Sequence, residues 1–395
     1  MTDRSEPSRR DFIAMSALGL LGATGLARGN VPVSDAQLLY VGTYTDDKRT
    51  DGIYLVRMNV ATGALHLEAA VNAGPNPSFI AIHPNGRTLY AVNEVEKRGE
   101  KASGGVSAFS IASDTGALTR VSDQASEGGA PCYASVDRRG RALLVANYSG
   151  GNVALLPIQP GGALSPAANV AQHRGNGPNA ERQEAAHAHC IVSDPSNRYV
   201  LAADLGIDKV VVYRLNAERT LEHVETGDAQ LEPGSGPRHI AFHPTLPLVY
   251  VATELNSTVA RLRFDAEHGV LTPIDARTTL PSGWKGTSYA ADIHVAPSGR
   301  TLCVSNRGHN SVAVFSIDKA GALTLEQTMP TGGDWPRNFS IDPTGRWLLV
   351  ANQRSSDIVV FARDRDSGRL TATRQRIAIP SPACVRFRAH VGVTT

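Results

Sequence analysis

Short apolar segments that end in a polar pair recur seven times along the chain. Each copy is rich in β-branched residues and has the length of one β-strand. Corresponding positions lie 46 to 57 residues apart, a period typical of propellers and solenoids. The copies are LYVGTY (39–44), LYAVNE (89–94), LLVANY (143–148), VLAADL (200–205), VYVATE (249–254), LCVSNR (302–307) and LLVANQ (348–353).

Each copy is the second strand of a four-strand unit, as residues 237–276 illustrate. A first strand, PRHIAFH, precedes the copy VYVATE, and a third, TVARLRF, follows it. A fourth strand is predicted after Gly269, and the same order recurs in the other units. Four antiparallel strands per repeat define a propeller blade. The sequence therefore predicts an all-β fold, a seven-bladed β-propeller of four-stranded blades.

The two ends of the repeat array indicate how the ring closes. The first copy, at 39–44, has no first strand before it, whereas SPACVRFR (381–388) matches the missing strand. We expect this C-terminal strand to be the innermost strand of the blade that begins at Leu38, because closure removes exposed sheet edges. The predicted propeller domain spans 38–390.

The N-terminal segment carries a targeting pattern. Arg9 and Arg10 precede an apolar run that ends near Ala27. A basic start, a short apolar stretch and small residues predict a signal peptide over 1–27, of the twin-arginine type. We therefore expect export to the periplasm by the twin-arginine translocation machinery. No stable membrane insertion is expected after cleavage.

Composition narrows the function classes. Lys and Arg total 39 and Asp and Glu total 37, so the chain lacks the excess of basic residues typical of nucleic-acid-binding proteins. The four cysteines are widely spaced without a CxxC pattern and are expected to be buried free thiols. We predict no cofactor, no metal and no nucleic-acid partner.

Candidate site residues gather on one rim of the predicted ring. In antiparallel blades, the starts of the first strands and the ends of the second strands share a rim. Convergent polar groups on such a rim are the usual sign of a ligand site. Asn and Asp after a strand are also common turn residues, which is the structural alternative for Asn147. The spacing of His187 and His189 places both on one strand face, but no matching carboxylates support a metal site.

At these residues the sequence resembles the seven-bladed lactonase family, which includes propeller-type 6-phosphogluconolactonases and the fungal carboxymuconate lactonizing enzymes. The resemblance runs across nearly the whole chain after the signal segment. The stretches that carry it include YVGTYT (40–45), NPSFIAIHPNGRTLYAVNE (76–94), GPNAERQEAAHAH (177–189), GSGPRHIAFHP (234–244) and PRNFSIDPTGRWLLVANQ (336–353).

The resemblance implies metal-independent opening or closing of a lactone ring. It places the catalytic set on His187 or His189, Arg238, Glu254 and Arg307. Further rim residues are candidates for substrate binding: Asn93, Glu94, Asn147, Asp292 and Arg337.

The favoured hypothesis is hydrolysis of a sugar lactone, D-glucono-1,5-lactone or its 6-phosphate. Glu254 or a histidine would activate water, and arginines would stabilise the oxyanion. Export of the chain puts a phosphorylated, cytoplasmic substrate in doubt and favours an unphosphorylated aldonolactone. Two alternatives remain: a non-catalytic periplasmic binding propeller and a muconate-type lactonizing cycloisomerase. For Glu254→Gln we expect lower activity with little change in Tm.

The export hypothesis makes the first testable prediction. Replacing Arg9 and Arg10 with lysine preserves charge but removes the arginine pair that the twin-arginine route requires. We expect the full-length precursor to stay in the cytoplasm, as measured by fractionation and immunoblotting. Mature protein in the periplasm of cells that express this variant would contradict the twin-arginine interpretation.

Overall fold

The structure is a computed structural model that describes residues 36–46 and 49–388. The predicted signal segment, residues 1–27, lies outside the described residues. The strands of the first three blades that start along the chain are β1 (Ala36–Thr43), β2 (Ile53–Asn59), β3 (Leu65–Val71), β4 (Ile80–Ile82), β5 (Thr88–Asn93), β6 (Gly105–Ile111), β7 (Leu118–Ala125), β8 (Pro131–Val136), β9 (Ala142–Asn147), β10 (Asn152–Pro157) and β11 (Asn169–Gln172).

The remaining elements are strands and one 3₁₀ turn (Glu225–Gly227). The strands are β12 (Ala188–Ser193), β13 (Tyr199–Asp204), β14 (Lys209–Leu215), β15 (Leu221–His223), β16 (Ala229–Gln230), β17 (Pro237–Phe242), β18 (Leu248–Thr253), β19 (Thr258–Asp265), β20 (Val270–Thr278), β21 (Tyr289–Val295), β22 (Thr301–Arg307), β23 (Ser311–Ile317), β24 (Leu323–Pro330), β25 (Pro336–Ile341), β26 (Trp347–Asn352), β27 (Asp357–Arg363), β28 (Leu370–Ala378) and β29 (Pro382–Phe387).

These strands form seven antiparallel sheets, each built on a path of four strands, and β16 is an extra strand against β14. The predicted seven-bladed β-propeller is therefore confirmed. Within the described residues, no helix is long and apolar enough to cross a membrane. The four cysteines are buried free thiols, as predicted: Cys132, Cys190, Cys303 and Cys384.

The ring closes as the sequence predicted. Strand β29 pairs antiparallel with β1, with Leu39 opposite Phe387 and Gly42 opposite Cys384. The first blade thus has the order β29-β1-β2-β3, and its innermost strand comes from the C-terminal part of the chain. This pairing joins the beginning and the end of the propeller through backbone hydrogen bonds and covers the inner edge of β1.

Neighbouring blades are joined by buried apolar side chains and by tyrosines on the second strands. The hydroxyl of Tyr40 donates to the carbonyl of Gly116 in the next blade at 2.7 Å. Tyr90 and Tyr250 make the same kind of contact with Gly162 and Gly321, respectively. Each tyrosine thereby satisfies its polar end while its ring stays in the core between two blades.

The innermost strands contain β-bulges, which the alternation of side chains between the two faces of a strand does not predict. In six of the seven described blades, the pairing of the innermost strand with the second strand shifts register near the rim. Such β-bulges insert an extra residue and re-aim side chains. His189, Arg238 and Arg337 each occupy the inserted position of their strand. The bulges therefore place these three candidate residues on the same rim, around the axis.

Closure by β29 makes a prediction about stability. Deleting residues 381–395 removes Ala383, Cys384 and Val385, each at most 2% exposed, and opens the inner edge of the first blade. Each large apolar side chain lost contributes about 1.5–3 kcal/mol, against a total stability of about 5–15 kcal/mol. We expect the truncated protein to lose cooperative thermal unfolding near the intact Tm. Deleting only residues 389–395 is the matched control, and equal Tm values for both deletions would rule out this closure.

Candidate active site

Glu254 lies at the centre of the site, directly after β18, with 2% of its surface exposed. Its Oε2 atom accepts a hydrogen bond from Arg238 Nε at 2.9 Å and lies 2.6 Å from Arg307 Nη2. Its Oε1 atom accepts a hydrogen bond from Arg182 Nη2 at 2.7 Å. The sequence predicted that Glu254, Arg238 and Arg307 come together, and the structure adds Arg182 as a third cation.

This cluster determines the charge state of Glu254. Burial opposes ionisation, but Arg307, Arg238 and Arg182 together hold the pKa of the Glu254 carboxyl well below its usual range. Burial also lowers the pKa of Arg307 to about 9, against the attraction of Glu254. Both groups remain charged near neutral pH. A carboxylate stabilised in this way is a weak proton acceptor, so the geometry favours a role for Glu254 as anchor of the arginines.

The two candidate histidines differ in how their ring nitrogens are used. His187 stacks on Tyr148 with centroids 4.4 Å apart. Its Nδ1 lies 3.0 Å from the Tyr148 carbonyl oxygen and its Nε2 lies 3.0 Å from Glu184 Oε1. His189 Nδ1, in contrast, is buried and has no hydrogen-bond partner among the described residues. An unsatisfied buried polar atom of this kind is a common mark of a functional group.

His189 is also neutral. Burial, followed by the charge of Arg238, lowers the pKa of the imidazole well below its ordinary value. A neutral imidazole has a lone pair with which it can accept a proton. His189 contacts Tyr148 edge-on at a centroid distance of 5.7 Å, which limits the orientation of its ring. Of the two predicted histidines, His189 is therefore the one with a ring nitrogen that no group of the described residues engages.

A second layer of polar residues holds Arg238 in place through hydrogen bonds on the side away from Glu254. Arg238 Nη1 donates to His239 Nε2 at 3.1 Å, and His239 Nδ1 donates to Asp292 Oδ1 at 2.7 Å. Burial lowers the pKa of His239 to about 3, so this ring is neutral. Asp292 Oδ2 also accepts hydrogen bonds from His294 and Asn338. Both oxygens of Asp292 thus have protein partners beneath Arg238, and its predicted contact with substrate stays a prediction.

Arg337 and Glu94 form the opposite side of the site. The Arg337 guanidinium lies over the Tyr44 ring, 5.1 Å from its centroid. The Tyr44 hydroxyl donates to Glu94 Oε2 at 2.8 Å, and Ser78 Oγ donates to the same oxygen. In the described part of the chain, no carboxylate lies within ion-pair distance of Arg337. Its charge is therefore available to an anionic or hydroxyl-bearing ligand.

Two other predicted ligand residues are occupied within their own blades. Asn93 Nδ2 donates to the carbonyl oxygens of Ala73 and Pro75. Asn147 Nδ2 donates to the carbonyl oxygen of Ser126 at 2.8 Å. Their amides support the loops beside the second strands, which is the turn role considered as the alternative. Asn147 Oδ1, in contrast, is buried without a hydrogen-bond partner among the described residues, so the expected contact of Asn93 and Asn147 with substrate stays a prediction.

Sequence reasoning missed Arg182, although it lies in a loop expected on the rim. The neighbouring Gln183 is fully buried and donates to Asp208 Oδ1 and to the Leu205 carbonyl, both at 2.8 Å. These contacts anchor the loop so that Arg182 reaches Glu254. The sequence also did not assign roles to two aromatic residues, Trp335 and Tyr289, whose ring centroids lie 5.5 and 5.8 Å from the Arg307 guanidinium carbon.

The described residues contain no group of three or more His, Cys, Asp or Glu side chains arranged to hold a metal ion. The expectation that the reaction needs no metal stays a prediction. The site that the fold defines combines buried arginines, one ionised carboxylate and neutral imidazoles on the rim of a propeller.

Comparison with known proteins shows the family of the chain. The family model described as "Lactonase, 7-bladed beta-propeller" matches residues 38–387, and the chain belongs to this family. It is similar to the 6-phosphogluconolactonase of Bacillus subtilis, with 37% identity over 353 residues, 89% of this chain and 98% of the relative. It is also 33% identical to a 6-phosphogluconolactonase of Formosa agariphila, over 86% of this chain and 96% of that protein.

A solved structure shows the same fold. The periplasmic gluconolactonase of Pseudomonas aeruginosa superimposes with a TM-score of 0.83 and is 35% identical in sequence. The match covers 90% of this chain and 99% of that structure. The similarity therefore includes the whole propeller.

The cluster around Glu254 changes the expected outcome of Glu254→Gln. Because Glu254, Arg238 and Arg307 are all buried, removing the carboxylate charge leaves two arginines uncompensated. Breaking a buried ion pair costs about 3–5 kcal/mol, so we expect a clear fall in Tm in place of the small change expected from sequence. The matched control is Arg182→Gln, because Arg182 is one-third exposed and should contribute less. A Tm of Glu254→Gln equal to that of the native protein would contradict the anchoring role.

Proposed function

We propose that the chain hydrolyses a sugar lactone to the aldonic acid, with D-glucono-1,5-lactone as substrate and its 6-phosphate as the closest variant. The observation that carries the proposal is a neutral histidine, His189, with a free buried nitrogen beside a cluster of arginines. The names of the relatives, which are 6-phosphogluconolactonases and a gluconolactonase, support the same reaction class.

In the proposed first step, His189 accepts a proton from the attacking water. The oxygen of that water bonds to the carbonyl carbon of the lactone, and the carbonyl oxygen becomes an oxyanion. A base works best when it is unprotonated at the operating pH and lies within hydrogen-bond reach of the water. The low pKa of His189 keeps the ring in the neutral form that can accept a proton but also makes it a weak base. Its buried Nδ1 has no hydrogen-bond partner among the described residues.

Arg238 and Arg307 would stabilise the oxyanion. Their guanidinium groups are held by Glu254 before substrate arrives, so little reorganisation is needed when charge develops. Arg307 Nε is buried and has no hydrogen-bond partner among the described residues, so a ligand would gain this donor only on entering the cluster. Collapse of the tetrahedral intermediate breaks the ring C–O bond. The protonated His189 then returns its proton to the departing alkoxide.

Arg337 and Glu94 would recognise the rest of the sugar. A free guanidinium binds hydroxyl, carboxylate or phosphate oxygens, whereas the Glu94 carboxylate accepts hydrogen bonds from sugar hydroxyls. We propose that the chain is exported through the twin-arginine route and acts in the periplasm. Two observations support this location: the N-terminal signal pattern and the periplasmic relative from Pseudomonas aeruginosa. In that compartment an unphosphorylated lactone is the favoured substrate.

The decisive experiment is a lactone panel with purified mature protein. Loss of each lactone is measured with spontaneous hydrolysis subtracted, with and without a chelator. We expect D-glucono-1,5-lactone to be hydrolysed at an unchanged rate in the chelator. No rate above background with any lactone would support the non-catalytic binding propeller, and cyclisation of a muconate-like diacid would support the cycloisomerase. Inhibition by the chelator would contradict metal independence.

The base assignment is tested by His189→Gln. Gln keeps hydrogen-bonding capacity but cannot accept the proton, so kcat should fall by about 10²–10⁴-fold, the usual contribution of a general base. The matched control is His187→Gln, because both ring nitrogens of His187 already have protein partners. We expect a smaller loss of kcat in the control. If His189→Gln retains native kcat, the base must be another group, and Glu94 becomes the first candidate.

A further inference from the structure

The opposite face of the ring carries a second concave feature. A depression of about 300 Å³ lies between the innermost strands of three blades, near the turns that join first and second strands. Its walls are largely apolar and come from residues 79–84, 133–136 and 386–387. A volume of this size lies at the lower end of the range for small-molecule sites.

Aromatic rings separate this depression from the arginine cluster. Phe79 and Tyr133 line the depression, and their ring centroids lie 4.2 Å apart. On their other side both rings contact His239, which belongs to the layer beneath Arg238. A ligand in the depression would therefore bind apart from His189 and Glu254.

Arg386 is the charged group of the depression. Its Nη1 atom donates to the Val385 carbonyl at 2.8 Å, with a longer contact of 3.4 Å to Asn338 Oδ1. Its Nε and Nη2 atoms make no hydrogen bond to the residues that the structure describes. No carboxylate of those residues forms an ion pair with Arg386. The guanidinium lies 4.8 Å from the Phe79 centroid, which orients it along an aromatic surface.

We propose that this depression is a second ligand site, selective for a small monocarboxylate with a flat apolar body, such as an aromatic carboxylate. The unpaired guanidinium of Arg386 has donors left to bind the carboxylate, and the planar fork matches that group. The aromatic and aliphatic walls suit a ring. A polyhydroxylated acid such as gluconate fits poorly, because its hydroxyls would lose water without finding enough polar partners.

Calorimetric titration with benzoate tests this site in the mature protein. We expect saturable binding to the native protein and a loss of about 10- to 100-fold in affinity for Arg386→Gln, the effect of removing a charge-assisted hydrogen bond. Arg386→Lys retains the positive charge but loses the planar guanidinium group. The affinity of this variant for benzoate should therefore lie between those of the native protein and Arg386→Gln. We take a Kd of about 1 mM as the weakest affinity that a specific site would show. Absence of saturable binding at about 10 mM benzoate, ten times that Kd, would overturn the proposal.

Two controls locate the bound benzoate. Arg337→Gln alters the arginine side of the lactone site at a residue that does not line the depression, and it should leave benzoate affinity unchanged. Excess gluconate should likewise not displace benzoate. Benzoate binding that disappears in Arg337→Gln, or that gluconate displaces, would place the anion among the active-site arginines and overturn the second site. If Arg386→Gln does not fold, Arg386→Lys and the gluconate competition still decide the question.

Discussion

The ionic contact between Glu254 and three arginines is the interaction on which the rest of the site depends. Arg238 and Glu254 belong to one blade, Arg307 to the next, and Arg182 to a long loop before the first strand of another blade. Burying a carboxylate or a guanidinium is costly unless hydrogen bonds or opposite charges replace the lost hydration. The cluster therefore holds two blades and one loop in a single arrangement around the axis.

This arrangement explains how a propeller can prepare a site for a developing negative charge. The arginines are held by Glu254 and by the layer of His239 and Asp292 before any ligand binds. Burial, and after it their positive charge, keeps the imidazole of His189 neutral, as its low pKa shows. One set of cations thus serves two purposes in the proposed reaction: it stabilises the oxyanion, and it contributes to keeping the base unprotonated.

The β-bulges connect the regular fold to this site. In a regular strand, successive side chains alternate between the two faces of a blade, so few of them point toward the axis. An inserted residue near the rim breaks the alternation, and His189, Arg238 and Arg337 occupy such positions. Because the bulge recurs in six blades, residues distant in sequence meet on one rim. The closing strand β29 has the same register shift in its pairing with β1. The strand that closes the ring therefore follows the same local geometry as the strands that carry the site residues.

The sequence by itself determined the number of blades, their four-strand order, the closure through residues 381–388 and the rim on which the site lies. These features follow from strand periodicity and from the spacing of repeats, which are local properties of the chain. It also identified Arg238, Glu254 and Arg307 as members of one site, partly through family resemblance.

Only the tertiary structure decided what those residues can do. The proton affinity of Glu254 depends on Arg182, which lies 72 residues away in the chain, and no local pattern reports that contact. The same limit applies to His187 and His189, which look alike in sequence but differ in whether their nitrogens have partners. Asn93, Asn147 and Asp292 were predicted to bind substrate, and only the structure shows that their side chains also form hydrogen bonds within the protein. Charge state and free hydrogen-bonding capacity arise from groups that folding brings together, so they are fixed by the three-dimensional arrangement.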